Sequence, residues 1–398
     1  MKHIAILGFG VVGGGCAELI KNNQKELSAL IGEEVTVKRI LDLRDFPDSP
    51  FADRITHDFN DILNDKEISV VAEVMGGSHP AYEFTVALLK AKKSVVTSNK
   101  EVVANYGDEF LALARENGVS YRFEASVGGG IPIIEPIISC VRQNKISEVR
   151  GILNGTTNYI LTEMFDYGKS FEKALEGAQK NGYCEKNPDA DILGLDACRK
   201  IVILYALVTG KLISPDSVYT EGITRIRTQD VRAAENAGLS IKLVGRCINT
   251  EKCAYVMVAP FMLGNFTPLS FVKGVYNAVE VIGDPIGNVM FYGRGAGADA
   301  TSSAVVADVI HSICGSGIKP PLFTKENCAS DISVLKFKNY IATDGNTEKI
   351  ISLIGNQTFL NSSECAFITE ELSEEDAEKI ISKLSESGIN VLSRIRVL

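Results

Sequence analysis

Two side chains in the middle of the chain, Asp196 and Lys200, have the types and spacing that proton transfer requires. They lie in the apolar run ILGLDACRKIVILYALV, which predicts one helix from Asp191 to Val208. Residues four apart project from the same face of a helix. An exposed ion pair would explain the spacing equally well. The apolar flanks argue against that alternative, because charges among apolar residues are costly to bury unless they are paired or used.

The loop before this predicted helix carries another acidic residue, Glu185, in the Gly-, Asn- and Pro-rich stretch NGYCEKNPDA. Pro188 and Asp189 indicate where the helix begins, and Gly210 indicates where it ends. We therefore expect the acid and the amine on a largely unsolvated helix that follows a polar loop.

The N-terminus has the pattern of a dinucleotide-binding turn. A short apolar run leads into Gly8, Gly10 and Gly13, spaced G-x-G-x-x-G, and a helical stretch follows from Val12 to Asn22. The motif needs this order of strand, glycine turn and helix, because the helix N-terminus must face the phosphates. The sequence therefore predicts a dinucleotide site at this end of the chain.

The second predicted strand, Val35 to Leu41, ends in an acidic residue, Asp42. A carboxylate at that place accepts the 2′-hydroxyl of an adenosine ribose and favours NAD. Arg44 and Arg39 lie nearby and could bind the 2′-phosphate of NADP instead. The sequence leaves NAD and NADP open.

Strands and helices alternate through the first third of the chain, which predicts a parallel, doubly wound sheet of the Rossmann type. Ligands of such sheets bind at the carboxyl ends of the strands. Four residues follow predicted strands at that edge: Gly76, Ser98, Asn99 and Lys100. A lysine directly after a strand end is a candidate ligand contact, and a surface lysine is the alternative.

A turn rich in glycine and proline, SVGGGIPIIEP, follows the predicted strand Tyr121 to Ala125. Its carbonyl oxygens could bind a small cation such as Na⁺, because hard cations take oxygen ligands. A hinge between domains explains the same composition.

Composition excludes several classes of function. The net charge of −9 argues against nucleic acid and anionic membranes as partners. The longest apolar run is too short for a membrane helix, and the N-terminus lacks a cleavage site of the signal-peptide type. Nine scattered cysteines without a C-x-x-C pair, and four histidines without ligand spacing, argue against disulfides and zinc. We expect a cytoplasmic protein.

Length and pattern predict three parts. The parts are a Rossmann domain (1–132), onto which a helix at 301–316 packs back, an α+β substrate and dimerisation domain (133–300), and a small α+β module (335–398).

Five stretches of the chain resemble the homoserine dehydrogenase family, over residues from Met1 to about Ile318. They are GFGVVG at Gly8, TSNK at Thr97, EASVGGGIP at Glu124, GILNGTTNYI at Gly151 and GYCEKNPDADILGLDACRK at Gly182. The resemblance implies NAD(P)-dependent interconversion of L-homoserine and L-aspartate 4-semialdehyde in threonine, methionine and isoleucine biosynthesis. Because the dinucleotide motif begins at residue 8, we expect the form without a fused aspartate kinase.

The resemblance also implies roles for individual residues. Lys200, held by Asp196, would be the proton donor at the reacting oxygen, with Lys100 as the second choice. The implied substrate residues are Glu185, Asp191, Tyr183, Gly155 and Thr156, of which the two acids suit the substrate ammonium. The implied cofactor residues are Gly8, Phe9, Gly10, Val11, Val12, Gly13, Asp42, Arg44, Gly76, Ser98, Asn99, Lys100 and Gly295. The implied loop for a monovalent cation such as Na⁺ comprises Glu124, Val127, Gly129 and Ile131. A homodimer or homotetramer is expected.

The tail departs from the family's regulatory ACT domain, a βαββαβ unit that binds an amino acid. Its predicted order is one strand short, and Thr343 to Asn346 replaces the usual Asp-x-Pro-Gly turn. We expect a degenerate ACT-like module with a regulatory or an oligomerising role.

Two other functions compete with this one. A dehydrogenase of another semialdehyde or of an α-amine would use the same groups. A nucleotide-sensing regulator could keep the folds without catalysis, but it would have no reason to retain Asp196, Lys200 and Lys100.

Overall fold

The computed structural model describes residues 1–398, and the chain divides into two compact units. The first unit consists of Met1–Ser147, Val202–Ser217 and Ile282–Cys328. The second unit consists of Glu148–Ile201, Val218–Val281 and Ala329–Leu398. The predicted three-part division stays a prediction.

Fourteen α-helices are present: α1 Val11–Asn22, α2 Gln24–Ile31, α3 Asn60–Leu63, α4 Ala81–Lys90, α5 Lys100–Glu116, α6 Ile134–Pro136, α7 Gly155–Tyr167, α8 Phe171–Lys180, α9 Asp189–Ile192, α10 Leu195–Thr209, α11 Thr228–Asn236, α12 Ala298–Cys314, α13 Thr347–Ile354 and α14 Glu374–Glu386. Nineteen strands are present: β1 Lys2–Leu7, β2 Val35–Leu41, β3 Ile55–Thr56, β4 Ile68–Glu73, β5 Ser94–Thr97, β6 Tyr121–Arg122, β7 Lys145–Ile152, β8 Lys211–Ile213, β9 Tyr219–Thr220, β10 Leu239–Asn249, β11 Ala254–Gly264, β12 Tyr276–Asp284, β13 Gly287–Arg294, β14 Thr324–Glu326, β15 Lys336–Thr343, β16 Thr358–Phe359, β17 Cys365–Ile368, β18 Leu372–Ser373 and β19 Val391–Val397. None of the helices is long and apolar enough to cross a membrane.

The first unit is built on six parallel strands in the order β3-β2-β1-β4-β5-β6. The order reverses between β1 and β4, and this is the place where ligands bind to sheets of this type. Strands covered on both faces are nearly continuous runs of apolar residues, as Ile4 to Leu7 shows. The predicted doubly wound sheet is confirmed.

The late helix α12 completes the core of this unit. Val305 and Val309 belong to the same buried cluster as Ile4 and Ile20. The Ser302 hydroxyl donates to the Val12 carbonyl at 3.0 Å, so α12 packs directly against α1.

The second unit is built on a mixed sheet with the order β12-β7-β10-β11-β19-β15-β17-β16. Strands β10 and β11 form a long antiparallel pair from Leu239↔Gly264 to Asn249↔Ala254. Strand β10 is antiparallel to both β11 and β7, whereas β19 runs parallel to β11. The alternating pattern cannot distinguish the two arrangements, because it records burial and not strand direction.

The C-terminal segment forms the elements β15, α13, β16, β17, β18, α14 and β19, with four strands in the order β19-β15-β17-β16. The prediction that this segment is one strand short is wrong. Strand β16 is only two residues long, which is too short for any periodicity to indicate it. The hydrophobic core of the C-terminal segment contains Ile341 of β15, Phe367 of β17 and Leu384 of α14.

The predicted single helix from Asp191 to Val208 is also wrong. The chain forms α9, then breaks at Gly194, which has φ +83°, and resumes as α10. Only glycine adopts this left-handed conformation without a steric cost. The segment from 189 to 200, called the 189–200 segment below, therefore contains α9, the break at Gly194 and the first turns of α10.

Candidate active site

Lys200 and Asp196 form a buried ion pair on the first turns of α10. The Lys200 Nζ donates to Asp196 Oδ2 at 2.8 Å and to the Leu153 carbonyl at 2.7 Å. Both residues are 7% exposed. At this burial a surface ion pair is excluded. The two acceptors fix the position of an ammonium that carries three donors.

Asn154 connects this pair to a second carboxylate. Its Nδ2 donates to Asp196 Oδ2 at 2.9 Å and to Asp191 Oδ1 at 2.6 Å. Its Oδ1 accepts from the Thr157 N–H at 2.8 Å and thereby caps α7. One amide thus starts a helix and holds two acidic side chains of the 189–200 segment.

Asp191 comes to this cluster because of the break at Gly194. It lies on α9, whereas Asp196 and Lys200 lie on α10. Burial raises the pKa of the Asp191 carboxyl, and the Asn154 hydrogen bond opposes that shift. A partly buried carboxylate of this kind suits a cationic partner, because an opposite charge restores the charged form.

Three more of the predicted substrate residues gather beside Asp191. The Thr156 hydroxyl donates to the Tyr183 carbonyl at 2.7 Å and also contacts the Asp191 carboxyl. Gly155 packs against the Val275 carbonyl, where a Cβ atom would lie 2.8 Å from the oxygen. The structure therefore joins Thr156 and Tyr183 to the acidic cluster, and Gly155 directly follows Asn154 at the start of α7.

Glu185 is the predicted substrate residue that the structure does not bring to this cluster. It lies on an exposed loop, and only its backbone carbonyl makes a hydrogen bond there, with Gln179 Nε2 at 3.5 Å.

The glycine turn of the first unit (residues 8–13) has the geometry that a bound pyrophosphate requires. Gly8 has φ +95°, and a Cβ atom on Gly13 would lie 1.9 Å from the Gly8 carbonyl oxygen. No atom lies within 4 Å of a Cβ placed on Gly10, so the backbone there is open to a ligand. Phe9 is buried, whereas Val11 is exposed and Val12 half-buried. These features fit a dinucleotide at the start of α1.

Asp42 faces this turn from the end of β2. Its Oδ2 accepts from the Phe9 N–H at 2.8 Å, and its two oxygens accept from the Arg44 guanidinium at 3.0 Å each. The Arg44 guanidinium and the backbone donors lower the pKa of the Asp42 carboxyl to about 2, so this group is a carboxylate at any physiological pH. Arg44 itself is exposed.

Comparison with known proteins decides the family. The model for the homoserine dehydrogenase NAD-binding domain matches residues 8–124, and the homoserine dehydrogenase model matches residues 132–310. The chain is 41% identical over 317 residues to a homoserine dehydrogenase of Synechocystis sp., covering 78% of this chain and 73% of that protein.

The chain belongs to the homoserine dehydrogenase family. A Bacillus subtilis homoserine dehydrogenase is 35% identical over 369 residues, which cover 89% of this chain and 85% of that one. The crystal structure of a Thiobacillus denitrificans homoserine dehydrogenase superposes with a TM-score of 0.92 at 32% identity, covering 100% of this chain and 98% of that one. The protein is accordingly an NAD(P)-dependent oxidoreductase, as the resemblance predicted.

The sheet edge of the first unit carries the other predicted cofactor residues. Asn99 caps α5 by accepting from the Glu101 and Val102 N–H groups, which places Lys100 at the first position of that helix. Ser98 follows β5, and Gly76 is exposed after β4. All four therefore lie after the carboxyl ends of β4 and β5, as predicted from the sequence.

Glu73 is a residue of this edge that the sequence analysis missed. It is fully buried and accepts from the Thr97 hydroxyl at 2.6 Å and the Met75 N–H at 2.9 Å. Burial raises the pKa of its carboxyl to about 7. It ties the turn after β4 to the turn after β5. A lone acid at the end of an apolar strand was the available signal.

The predicted cation loop is compact and buried. The Glu124 carboxylate accepts three backbone N–H groups, from Ile133, Ile134 and Glu135, at 2.6–2.8 Å. Gly129 has φ +59°, and its Cβ would lie 2.4 Å from the Gly295 carbonyl oxygen. The structure thus places Gly295, predicted to close over the cofactor, directly against this loop.

Proposed function

We propose that Lys200 and Asp196 transfer the proton in the interconversion of L-homoserine and L-aspartate 4-semialdehyde. The observation that carries the proposal is the geometry of the Lys200 ammonium. Two of its three N–H groups donate hydrogen bonds, to the Leu153 carbonyl and to Asp196. The third donor is left for a substrate oxygen.

The chemistry of the pair follows from its surroundings. Reduction of the aldehyde adds a hydride to carbon and a proton to oxygen, and the oxygen develops alkoxide character. A fixed ammonium in a site with little water stabilises that charge and delivers the proton. In the oxidation direction the same nitrogen acts as a neutral amine, which takes the proton of the substrate hydroxyl and becomes the ammonium. The nicotinamide of the bound cofactor supplies or accepts the hydride.

Asp191 is the proposed partner of the substrate ammonium. It lies next to the ion pair through Asn154, and its carboxyl is partly buried. Gly155, Thr156 and Tyr183 form the wall beside it. Glu185, on its exposed loop, is proposed as a second contact for the same ammonium.

The dinucleotide is proposed to bind along the glycine turn and the sheet edge. The set comprises Gly8, Phe9, Gly10, Val11, Val12, Gly13, Asp42, Arg44, Gly76, Ser98, Asn99, Lys100 and Gly295. Asp42 would accept from the ribose 2′-hydroxyl of NAD, and Arg44 would turn to the 2′-phosphate of NADP. Lys100 is kept as the second candidate for the proton donor.

A monovalent cation is proposed at the loop formed by Glu124, Val127, Gly129 and Ile131. The Glu124 side chain is occupied by three backbone donors, so the ligands would be carbonyl oxygens. Backbone carbonyls suit hard cations. Titration of Na⁺ and K⁺ against a large organic cation at constant ionic strength tests this part.

The C-terminal segment is proposed to be an ACT-like module with a regulatory or oligomerising role. Its support is the strand order β19-β15-β17-β16 with two helices between the strands. We also propose a homo-oligomer and a cytoplasmic location. Nine free cysteines favour a reducing compartment.

The decisive experiment measures the homoserine-dependent formation of reduced cofactor at 340 nm with NAD⁺ and with NADP⁺. The wild-type protein should turn over with homoserine, and Lys200→Ala should lose about a thousandfold in kcat. Cofactor binding by the variant, followed by fluorescence, should be unchanged because the glycine turn is untouched. A fully active Lys200→Ala would move the proton transfer to Lys100 or to water.

A further inference from the structure

We propose that Arg396, in the last strand of the chain, is a positioning residue for the 189–200 segment. It acts through Glu221 and the backbone of Gly222, and it makes the C-terminal segment part of the catalytic scaffold. The inference rests on the proposed roles of Asp191, Asp196 and Lys200.

Arg396 holds two distant carboxylates together. It is 2% exposed, and its Nε and Nη2 donate to the Glu374 carboxylate at 2.8 and 2.7 Å. Its Nη1 donates to Glu221 Oε2 at 2.9 Å. The Tyr219 ring lies under the guanidinium at 4.9 Å, and its hydroxyl donates to the same Glu221 oxygen at 3.0 Å. Such a buried, forked arrangement fixes direction as well as distance.

The next link is the backbone that follows Glu221. The Glu221 N–H donates to the Val258 carbonyl at 2.8 Å, and the Ile223 N–H donates to the Ile192 carbonyl at 2.8 Å. Gly222 lies between these two bonds. A Cβ atom there would be 2.0 Å from the Ile192 carbonyl oxygen and 2.5 Å from Leu193 Cα. The 221–223 backbone is therefore in direct contact with the connection between α9 and α10.

This connection has further neighbours on the same side, since a Cβ atom on Gly194 would lie 3.2 Å from Thr220 and 3.4 Å from Val258. A cavity of about 810 Å³ separates much of it from the C-terminal segment. The residues that line the cavity include Leu193 and Leu195 from the connection, and Leu392 and Arg394 from β19. The contact of Arg396 with Glu221, and that of the adjacent Gly222 with Ile192 and Leu193, link the C-terminal segment to this connection.

The consequence for catalysis comes from the position of the break. Asp191 precedes Gly194 and Asp196 follows it, and both must reach the single amide of Asn154. A shift of the connection would separate the two carboxylates and move Lys200 away from the reacting oxygen. Displacements of about 1 Å are enough to cost about a hundredfold in rate. The effect should appear in kcat and in KM for homoserine, and not in cofactor binding.

The test compares Glu221→Gln and Arg396→Gln with the matched control Arg394→Gln in the full-length enzyme. Arg394 lies on the same strand and contacts Asn339, Glu378 and Glu374, but not Glu221. We expect Glu221→Gln and Arg396→Gln to lower kcat about tenfold at an unchanged KM for the cofactor. Arg394→Gln should keep the wild-type kcat, and Arg396→Lys should recover part of the loss because it keeps the charge.

A glycine pair tests the backbone link without changing any charge. Gly222→Ala should lower kcat by about a hundredfold. Gly264→Ala, whose Cβ would meet only a Leu239 methyl at 4.0 Å, should be neutral. If Arg396→Gln fails to fold, Glu221→Gln and Gly222→Ala decide the question.

Two outcomes overturn the inference. One is wild-type kcat in both Glu221→Gln and Gly222→Ala while Lys200→Ala is inactive, which leaves the proposed function intact. The other is an equal loss in Arg394→Gln and Arg396→Gln, which would mean that the C-terminal segment acts only through general stability. Failure of the proposed function is recognised separately, by a fully active Lys200→Ala.

Discussion

The glycine turn of the first unit and the 189–200 segment of the second unit both depend on glycine, but they obtain their geometry differently. In the glycine turn the tightest contact is local, since Gly13 packs on Gly8 within one stretch of six residues, and Asp42 and Ser302 add contacts from elsewhere in the first unit. In the 189–200 segment Gly194 only breaks the helix, and the geometry comes from Leu153, Asn154 and Gly222 elsewhere in the chain. The tightest packing of the turn should therefore respond mainly to substitutions within it, whereas the 189–200 segment should also respond to substitutions far away in the sequence.

The largest effect that sharpens this comparison is expected from Asp196→Asn. The substitution removes the negative charge that faces the Lys200 ammonium. It also replaces one acceptor oxygen with an NH₂ donor beside the Asn154 amide, which itself donates to this side chain. We expect kcat with homoserine to fall by about a hundredfold or more, because the donor is no longer held or charge-balanced. The affinity for cofactor should not change. An unchanged kcat would show that Asp196 only stabilises the fold.

Glu73→Gln tests the buried acid at the sheet edge of the first unit. The folded pKa of Glu73, about 7, lies above the usual value of 4.5. Its contribution to stability is therefore fully present below pH 4.5 and is lost as the pH rises through 7. The free energy of unfolding of Glu73→Gln minus that of the wild type should therefore be roughly 3 kcal/mol larger above pH 7 than at acidic pH. Urea unfolding at several pH values measures this difference, and a pH-independent difference would contradict the assignment.

Two neighbouring glycines of the first unit should respond in opposite ways. In Gly13→Ala the new Cβ would lie 1.9 Å from the Gly8 carbonyl, so we expect a loss of about 1–3 kcal/mol in stability together with weaker cofactor binding. The matched control is Gly14→Ala, where no atom lies within 4 Å. Because Gly14 is in helix α1, alanine should stabilise the protein by about 1 kcal/mol. Thermal unfolding of both variants decides, and equal responses would refute the close packing of the turn.

The smallest expected effect concerns Arg44. In Arg44→Gln the cation near the ribose is lost, and KM for NADP⁺ should rise about tenfold. KM for NAD⁺ should change by less than about twofold, because an exposed ion pair contributes little to binding or stability. An equal change for both cofactors would show that Arg44 does not contact the 2′-phosphate.

These contrasts explain what the sequence could predict. The glycine turn, the Asp42 strand end and the parallel sheet of the first unit follow from local patterns, and the structure agrees with them. The spacing of Asp196 and Lys200 also predicted their shared face correctly. The break at Gly194 was missed because one glycine in an apolar run is compatible with a continuous helix. Asn154 as a bridge and Arg396 as a distant support were missed because no local pattern encodes contacts between residues far apart in the chain.

The most direct test of the central claim is chemical rescue of Lys200→Ala by small primary amines. If Lys200 carries the proton, removing its side chain leaves a space beside Asp196 and the Leu153 carbonyl that a small alkylammonium can occupy. The account predicts that ethylamine restores homoserine-dependent turnover in Lys200→Ala in a saturable manner and has no effect on Lys100→Ala. A Lys200→Ala variant that turns over at the wild-type rate without added amine would contradict it.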